Sequence, residues 1–408
     1  MNIRLLQWIS AALLVTLATA CTTAPSLPTA ERLFNDALFT PPAEPIRPDE
    51  VFALSPEMQR YAATELEPRM RHDGAEQALV DALYDKGRLQ LEYDATSTRT
   101  AAGAFEARTG NCLSLVVMTG AFAEHFGLTV VYQEVFTKAA WSRSSRLALS
   151  NRHVNLRFLP STTAPQLALE RGRADRSDEG MTVDFLPSER AAQYRVRAIS
   201  REVVIAMFMN NRAAELLADG KPDAAYWWAR EAIRRVPTFM DSYNLLAVIY
   251  RQHGNLAQAE YALRQALALE PENSIPMSNL VGVLDALGRT EESRQLALRL
   301  AQIEPFPPFH FYDLGLAALQ SRDFAQARQW FQREINRDAD HAESHFGLAI
   351  AHLQLGDLRK ARAQLALAVA KSTTRQSRAL FSAKLDWLKS QGYASPHDRS
   401  GVPSAADG

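Results

Sequence analysis

An interval of 34 residues recurs through the second half of this chain. Prolines and glycines both recur at this interval: Pro237, Pro271 and Pro305, and Gly220, Gly254 and Gly288. Small and apolar residues at helical spacing precede each proline, and a glycine between two helical stretches allows the tight turn that joins them. A period of this length predicts one helical hairpin per repeat. Such hairpins bury their apolar faces only by stacking, so we predict a helical solenoid.

The repeats resemble the tetratricopeptide repeat, a helix–turn–helix unit. The clearest copy contains Tyr243, Leu246, Ala247, Tyr250, Gly254, Ala259, Leu263, Ala266 and Pro271. A fourth copy keeps Leu314, Gly315, Ala327 and Phe331, with Ala339 in place of the proline, and a fifth keeps Leu348, Gly356, Ala361, Leu365 and Ala368. We predict an all-α solenoid of five repeats over residues 201–375, a capping helix over 376–394 and a disordered polar tail over 395–408. The resemblance implies that the repeats bind a protein or peptide in a groove.

Histidines in the fifth repeat raise the alternative of a metal site. His341, His345 and His352 share one helical neighbourhood with Glu343, and histidine and carboxylate side chains are common zinc ligands. However, His345 occupies the bulky packing position that Tyr243 holds in the second repeat. We therefore predict repeat packing there, with no metal and no cofactor.

Residues 1–20 have the pattern of a signal peptide. Arg4 precedes an apolar run from Leu5 to Leu17, and small residues then lead to Cys21. The run is too short to span a membrane, and cleavage-type residues follow it. Its end resembles a bacterial lipoprotein lipobox, which implies that Cys21 becomes the lipid-modified first residue of the mature chain. An ordinary cleaved secretory signal is the alternative.

The lipobox resemblance also implies a location. Thr22 rather than aspartate follows Cys21, which under the sorting rule of such lipoproteins implies the outer membrane of a bacterial cell envelope, on the side facing the periplasm. Residues 21–48 are predicted to be a tether. The formal net charge of −1 gives no electrostatic reason to expect a nucleic acid as partner. The expected partners are the membrane, through the lipid, and a protein or peptide.

Cys112 is the thiol that remains if Cys21 carries lipid. The run Gly110-Asn111-Cys112 opens a mostly apolar stretch that ends at Gly127 and is predicted to be a helix. Unpaired N–H groups and the helix dipole at such a start stabilise a thiolate. A buried, inert cysteine is the alternative, and the position at a helix start disfavours it.

Polar residues also stand at defined places in two strand-like runs. Alternation over residues 153–158 places His153 and Asn155 on the face opposite the core side chains. Asp184 lies in a second alternating run, residues 181–186. Cysteine, histidine and aspartate suit the roles of nucleophile, base and orienting residue in acyl-transfer chemistry.

This arrangement resembles the transglutaminase-like superfamily, whose papain-like core has a cysteine at the head of a helix and histidine and aspartate on neighbouring strands. The resemblance predicts an α+β, papain/transglutaminase-like domain over residues 49–200. It implies that Cys112 is the nucleophile, His153 the base and Asp184 the residue that orients the imidazole. The charged insertion between His153 and Asp184 is longer than in compact members of the superfamily.

Two further residues are predicted to lie near the cleft. Trp141 precedes the His153 strand and resembles an aromatic residue that walls the cleft in related proteins; a core tryptophan under a loop is the alternative. Asn155 projects parallel to His153 on one strand and cannot readily bond back to the ring. We therefore predict that Asn155 is a pocket or structural polar group.

Two functions follow from these features. The first is an envelope-anchored thiol-dependent peptidase or amidase whose repeats recruit a substrate or partner. Hydrolysis is favoured over amine transfer, because no feature of the sequence marks a site for an amine acceptor. The second is a catalytically inactive, lipid-anchored adaptor that binds proteins through its repeats.

Overall fold

A computed structural model describes most of the chain from residue 30 to residue 390. The described residues are 30–42, 45–84, 91–94, 97–136, 141–144, 147–150, 152–159, 180–185, 195–306, 309–372 and 375–390. The predictions made for the signal peptide, for Cys21, for the polar tail and for most of the insertion before Asp184 lie outside these residues. Within the described ranges, no helix has both the length and the apolar character needed to cross a membrane.

Short helices form the first part of the chain. They are α1 Ala30–Leu33, α2 Pro56–Tyr61, α3 Glu67–Asp73, α4 Ala75–Tyr84 and α5 Ala101–Ala107, with a π-helical turn Ala62–Leu66 and 3₁₀ turns Asp36–Leu38 and Pro48–Glu50. Ser55 and Thr100 are the N-caps of α2 and α5, because the hydroxyl of each accepts the backbone N–H of the residue three positions further on. Met58, Leu66 and Leu79 are buried, as their helical spacing predicts.

Helix α6, Cys112–His125, is buried along most of its length. Its core side chains include Leu113, Val116, Val117 and Phe122, all predicted from the apolar spacing. The helix ends before Gly127, whose φ of +68° is the left-handed conformation that glycine adopts readily. A helix that is apolar on every side must be packed against other elements on every side. The sheet is one of these elements.

The sheet that covers α6 has four antiparallel strands. In spatial order they are β7 Met181–Val183, β6 His153–Phe158, β3 Val130–Phe136 and β8 Arg195–Ile199. Val154, Leu156 and Phe158 are buried, as predicted from their alternation. Two smaller pairs accompany the sheet: the parallel strands β1 Glu92–Tyr93 and β2 Thr109–Gly110, and the hairpin of β4 Trp141–Ser144 and β5 Leu147–Ser150.

Paired helices form the second half of the chain. The pairs are α7 Arg201–Ala218 with α8 Pro222–Arg235, α9 Met240–Gln252 with α10 Leu256–Leu269, α11 Ser274–Ala286 with α12 Thr290–Ile303, α13 His310–Gln320 with α14 Phe324–Arg337, and α15 Ala342–Gln354 with α16 Leu358–Lys371. Helix α17, Arg375–Ser390, follows them. The predicted turn glycines Gly220, Gly254 and Gly288 have positive φ. The structure therefore has the helix–turn–helix repeats that the period predicts.

Small residues allow the helices of these repeats to approach closely. Ala225, Ala229 and Ala259 are fully buried between helices. In the later repeats a glycine does the same, since a Cβ atom on Gly347 would lie 2.5 Å from Cζ of the Phe331 ring. The residue types that define the repeat are therefore explained by packing.

The apolar core is interrupted between the third and fourth repeats. One cluster extends through the repeats as far as Leu284, and a separate cluster lies between Ala318 and Ala351. Among the described side chains of α12, only Ser293 is buried, and Leu298 is exposed. The first three repeats and the last two therefore have separate cores.

The first repeat shares a core with the N-terminal part of the chain. Val204, Ile205 and Phe208 of α7 belong to the same apolar cluster as the side chains of α6. Val236 and Phe239, in the connection that leads to the second repeat, extend this cluster. The repeat array is thus packed directly against the elements that carry the predicted site residues.

Candidate active site at the start of helix α6

Side-chain hydrogen bonds fix the start of helix α6. The Asn111 Oδ1 atom accepts the backbone N–H of Ser114 at 2.9 Å, which is the geometry of a helix N-cap. The Asn111 amide in turn donates to Thr98 Oγ1 at 2.7 Å. Gly110 has no room for a side chain, because its Cβ atom would lie 2.6 Å from Ser114 Cβ. Cys112 is therefore held at the first helical position, where the dipole favours a thiolate.

Cys112 is a free cysteine with a half-buried side chain. It lies near enough to His153 to favour the protonated form of the imidazole. The alternative of a fully buried cysteine does not describe this side chain, which is partly exposed. A thiol beside an imidazole is the arrangement that nucleophilic catalysis requires.

The structure brings His153 together with Asp184. The His153 Nε2 atom lies 2.7 Å from Asp184 Oδ1, and the two side chains are 6% and 11% exposed. Because Nε2 is held by the carboxylate, Nδ1 is the ring nitrogen that remains for the thiol of Cys112. The carboxylate thereby determines the tautomer of the ring and the ring nitrogen that faces the sulfur.

The pKa of His153 reflects these contacts. Burial by itself lowers the pKa, because it penalises the charged imidazolium. Hydrogen bonds to Asp184 and Cys112, together with the negative charges of both groups, outweigh burial and raise the pKa from 6.5 to about 9. The protonated ring is therefore the stable form at neutral pH.

Asp184 lies one residue beyond β7, which corrects the prediction that it belongs to the strand itself. Pairing with β6 ends at Val183, opposite Leu156, and the carboxylate of Asp184 lies against His153. The other carboxylate oxygen, Oδ2, accepts the amide N–H of Asn155 at 3.0 Å. Asn155 is thus the predicted structural polar group, and it acts on the carboxylate rather than on the ring.

Tyr93 also lies at the site, although it is not among the residues that the sequence predicts. The parallel pairing of β1 and β2 places Tyr93 opposite Gly110, two residues before Cys112. Burial, followed by the negative charges of Cys112, Asp94 and Asp184, raises the pKa of Tyr93. A two-residue strand has no periodicity, so no local signal marks this tyrosine.

The second predicted cleft residue, Trp141, lies in β4 opposite Ser150. Its side chain falls outside the described part of the structure, so its role as a cleft wall stays a prediction. Strand β5 of the same hairpin lies against α9 and α11 of the repeats. The hairpin before His153 therefore connects the N-terminal part to the repeat array.

The histidines of the fifth repeat have packing roles. His345 is buried, with Nδ1 at 2.7 Å from Gln364 Oε1 and Nε2 at 3.1 Å from the carbonyl oxygen of Ala339. The Nδ1 atom of His341 lies 2.6 Å from Ser344 Oγ. Among the described residues, no three or more histidine, cysteine, aspartate or glutamate side chains are arranged to hold a metal ion.

Comparison with known proteins identifies the repeats. Two family models for the tetratricopeptide repeat match residues 250–310 and 312–375. The chain contains tetratricopeptide repeats. This confirms the predicted all-helical solenoid and supports protein or peptide binding by the second half of the chain.

Similar proteins match part of the chain. The type IV pilus assembly protein PilF of Pseudomonas aeruginosa is 30% identical over 121 residues, which are 29% of this chain and 48% of that protein. A TPR repeat-containing protein of the same organism is 26% identical over 181 residues, 40% of this chain and 31% of that protein. A solved structure of P. aeruginosa PilF is 22% identical, with a TM-score of 0.28, and covers 48% of this chain and 93% of that one. The chain thus spans about half or less of the length of these two curated relatives.

Proposed function

We propose that this protein is an envelope-anchored, thiol-dependent peptidase or amidase whose tetratricopeptide repeats recruit the substrate or a partner. The observation that carries the proposal is the placement of His153, whose Nε2 atom lies 2.7 Å from Asp184 Oδ1 and whose pKa is raised by the nearby Cys112. The order thiol, imidazole, carboxylate matches the roles of nucleophile, base and orienting residue. The transglutaminase-like character of residues 49–200 belongs to this proposal.

The arrangement supports a two-step reaction. The Cys112 sulfur attacks the carbonyl carbon of an amide, and backbone N–H groups at the start of α6 stabilise the oxyanion that develops. The protonated ring of His153 then gives its proton to the departing amine, which leaves a thioester on Cys112. Water, deprotonated by the same ring, hydrolyses the thioester and restores the thiol.

Part of the segment predicted to be a tether is packed on the repeats. Residues 33–40 lie on the first two repeats, where the Tyr250 hydroxyl donates to the Leu33 carbonyl at 3.0 Å and Trp227 Nε1 donates to the Thr40 carbonyl at 2.7 Å. Phe39 stacks on Tyr226 with ring centroids 4.0 Å apart. Residues 33–40 of the predicted tether are therefore held on the repeats, and the lipid anchor on Cys21 stays a prediction.

Alkylation of Cys112 by iodoacetamide tests the proposal. An ordinary cysteine, with a pKa of about 8.5, is less than about 1% thiolate at about pH 6. We expect the folded mature protein to be alkylated at this pH much faster than the same protein unfolded in urea, and Cys112→Ser to be inert. His153→Gln should remove the advantage of the folded protein. Equal rates for the folded and unfolded chains would overturn the proposed thiol chemistry.

The second candidate function is a lipid-anchored adaptor without catalysis. One observation favours it: a cavity of about 490 Å³ lies between the second and third repeats, lined in part by Leu280, Leu284 and Leu296. Cells that carry Cys112→Ala in place of the wild type decide between the two functions. An adaptor predicts a wild-type phenotype for this variant, and an enzyme predicts the phenotype of a deletion.

A further inference from the structure

Arg152 stands directly before His153 and joins the front sheet to the second repeat. Its side chain is 14% exposed. One guanidinium nitrogen donates to Glu134 of β3, and another donates to Asp241 in the first turn of α9. The Nη2 atom lies 3.1 Å from Glu270 Oε1, at the end of α10, and 3.3 Å from Asp241 Oδ1.

The surroundings leave this guanidinium few other positions. Glu134 and Asp241 are 5% and 7% exposed, so both carboxylates are largely withdrawn from water. Arg152 compensates the charge of both, and Arg197 also pairs with Glu134, at 2.6 Å. The guanidinium also lies over the ring of Phe239, 5.7 Å from its centroid. A planar group that donates to three carboxylates and covers an aromatic ring is fixed in orientation as well as in place.

The chain on both sides of Arg152 is held as well. After it, β6 pairs with β3 from the His153–Val135 pair onward. Before it, β5 lies against α9 and α11 of the second and third repeats. The position of the His153 backbone is therefore determined by the front sheet and by the repeats together.

We propose that Arg152 is a positioning residue that makes the placement of the His153 imidazole depend on the second repeat. Asp241 and Glu270 belong to that repeat and have no contact with the thiol, so they act only through Arg152. The repeat array is then a part of the catalytic unit as well as a recruiting surface. The consequence for thiol reactivity rests on the proposed function; the placement of the ring does not.

The test is a titration of the His153 ring by NMR in full-length mature protein labelled with 13C-histidine, with His153→Gln to assign the signal. Arg152→Met has two effects on the pKa of His153, and they have opposite signs. Loss of a nearby positive charge would raise the pKa of His153, whereas displacement of the ring from Asp184 and Cys112 would lower it from its value of about 9. We expect a lower pKa, and Cys112 alkylation at neutral pH slower by about tenfold or more.

Arg152→Lys keeps the charge and loses the planar fork, so it tests positioning without a change of charge and serves if Arg152→Met does not fold. It should lower the pKa in the same direction. Arg235→Met is the matched control, because Arg235 joins the first repeat to Asp49 at 2.9 Å and has no contact with the His153 strand. An unchanged or raised His153 pKa in folded Arg152 variants would overturn the inference. An unreactive thiol in the wild type would instead count against the proposed function alone.

Discussion

The raised pKa of His153 predicts a pH dependence of stability that one substitution removes. Burial would lower the pKa, but the hydrogen bonds and charges of Asp184 and Cys112 raise it from 6.5 to about 9. Because one pKa unit corresponds to about 1.4 kcal/mol, the difference between folded and unfolded states amounts to about 3 kcal/mol.

The sign follows from proton binding. The folded protein binds the His153 proton more tightly than the unfolded chain does. The contribution of His153 to the free energy of unfolding is therefore complete below about pH 6.5 and is lost as the pH rises through about 9.

Urea unfolding of the wild type and of His153→Gln, from about pH 6 to about pH 9.5, measures this contribution. The difference in unfolding free energy between the two proteins should shrink by about 3 kcal/mol across this range. Asp184→Asn keeps the imidazole but removes the charge of its carboxylate partner, so it should flatten most of the dependence. Parallel curves for the wild type and His153→Gln would refute the reasoning.

Two further predictions concern the repeats and the N-terminal segment. Gly347→Ala should destabilise the protein by about 1–3 kcal/mol in thermal unfolding, because its Cβ would overlap the buried Phe331 ring; Gly103→Ala, whose nearest neighbour would lie at 3.4 Å, is the control and should be neutral or slightly stabilising. Tyr250→Phe loses the hydrogen bonds that the hydroxyl makes with Leu33 and Asn35, so limited proteolysis should cleave residues 33–40 faster. Unchanged cleavage would show that this segment is held by its other contacts.

The repeats could be predicted because their information is local and periodic. Pro271 and Gly254 stand at helix boundaries, and Ala259 and Leu263 stand at one packing face, so the pattern indicates both the elements and their contacts. The interruption after the third repeat was not predictable in this way. It depends on whether α12 meets the next helix, and the repeat spacing is the same on both sides of the junction.

In the candidate site, too, local features could be predicted from the sequence and contacts between distant segments could not. The sequence by itself determined that Cys112 begins a helix and that His153 and Asn155 share one face of a strand, because capping and alternation act over a few residues. Only the tertiary structure decided that Tyr93 lies near Cys112 and that Asn155 donates to Asp184. It also decided that Arg152 reaches the second repeat. These contacts join segments that are distant in the chain, and the register of strand pairing and the docking of the repeats set them; neither leaves a local mark on the sequence.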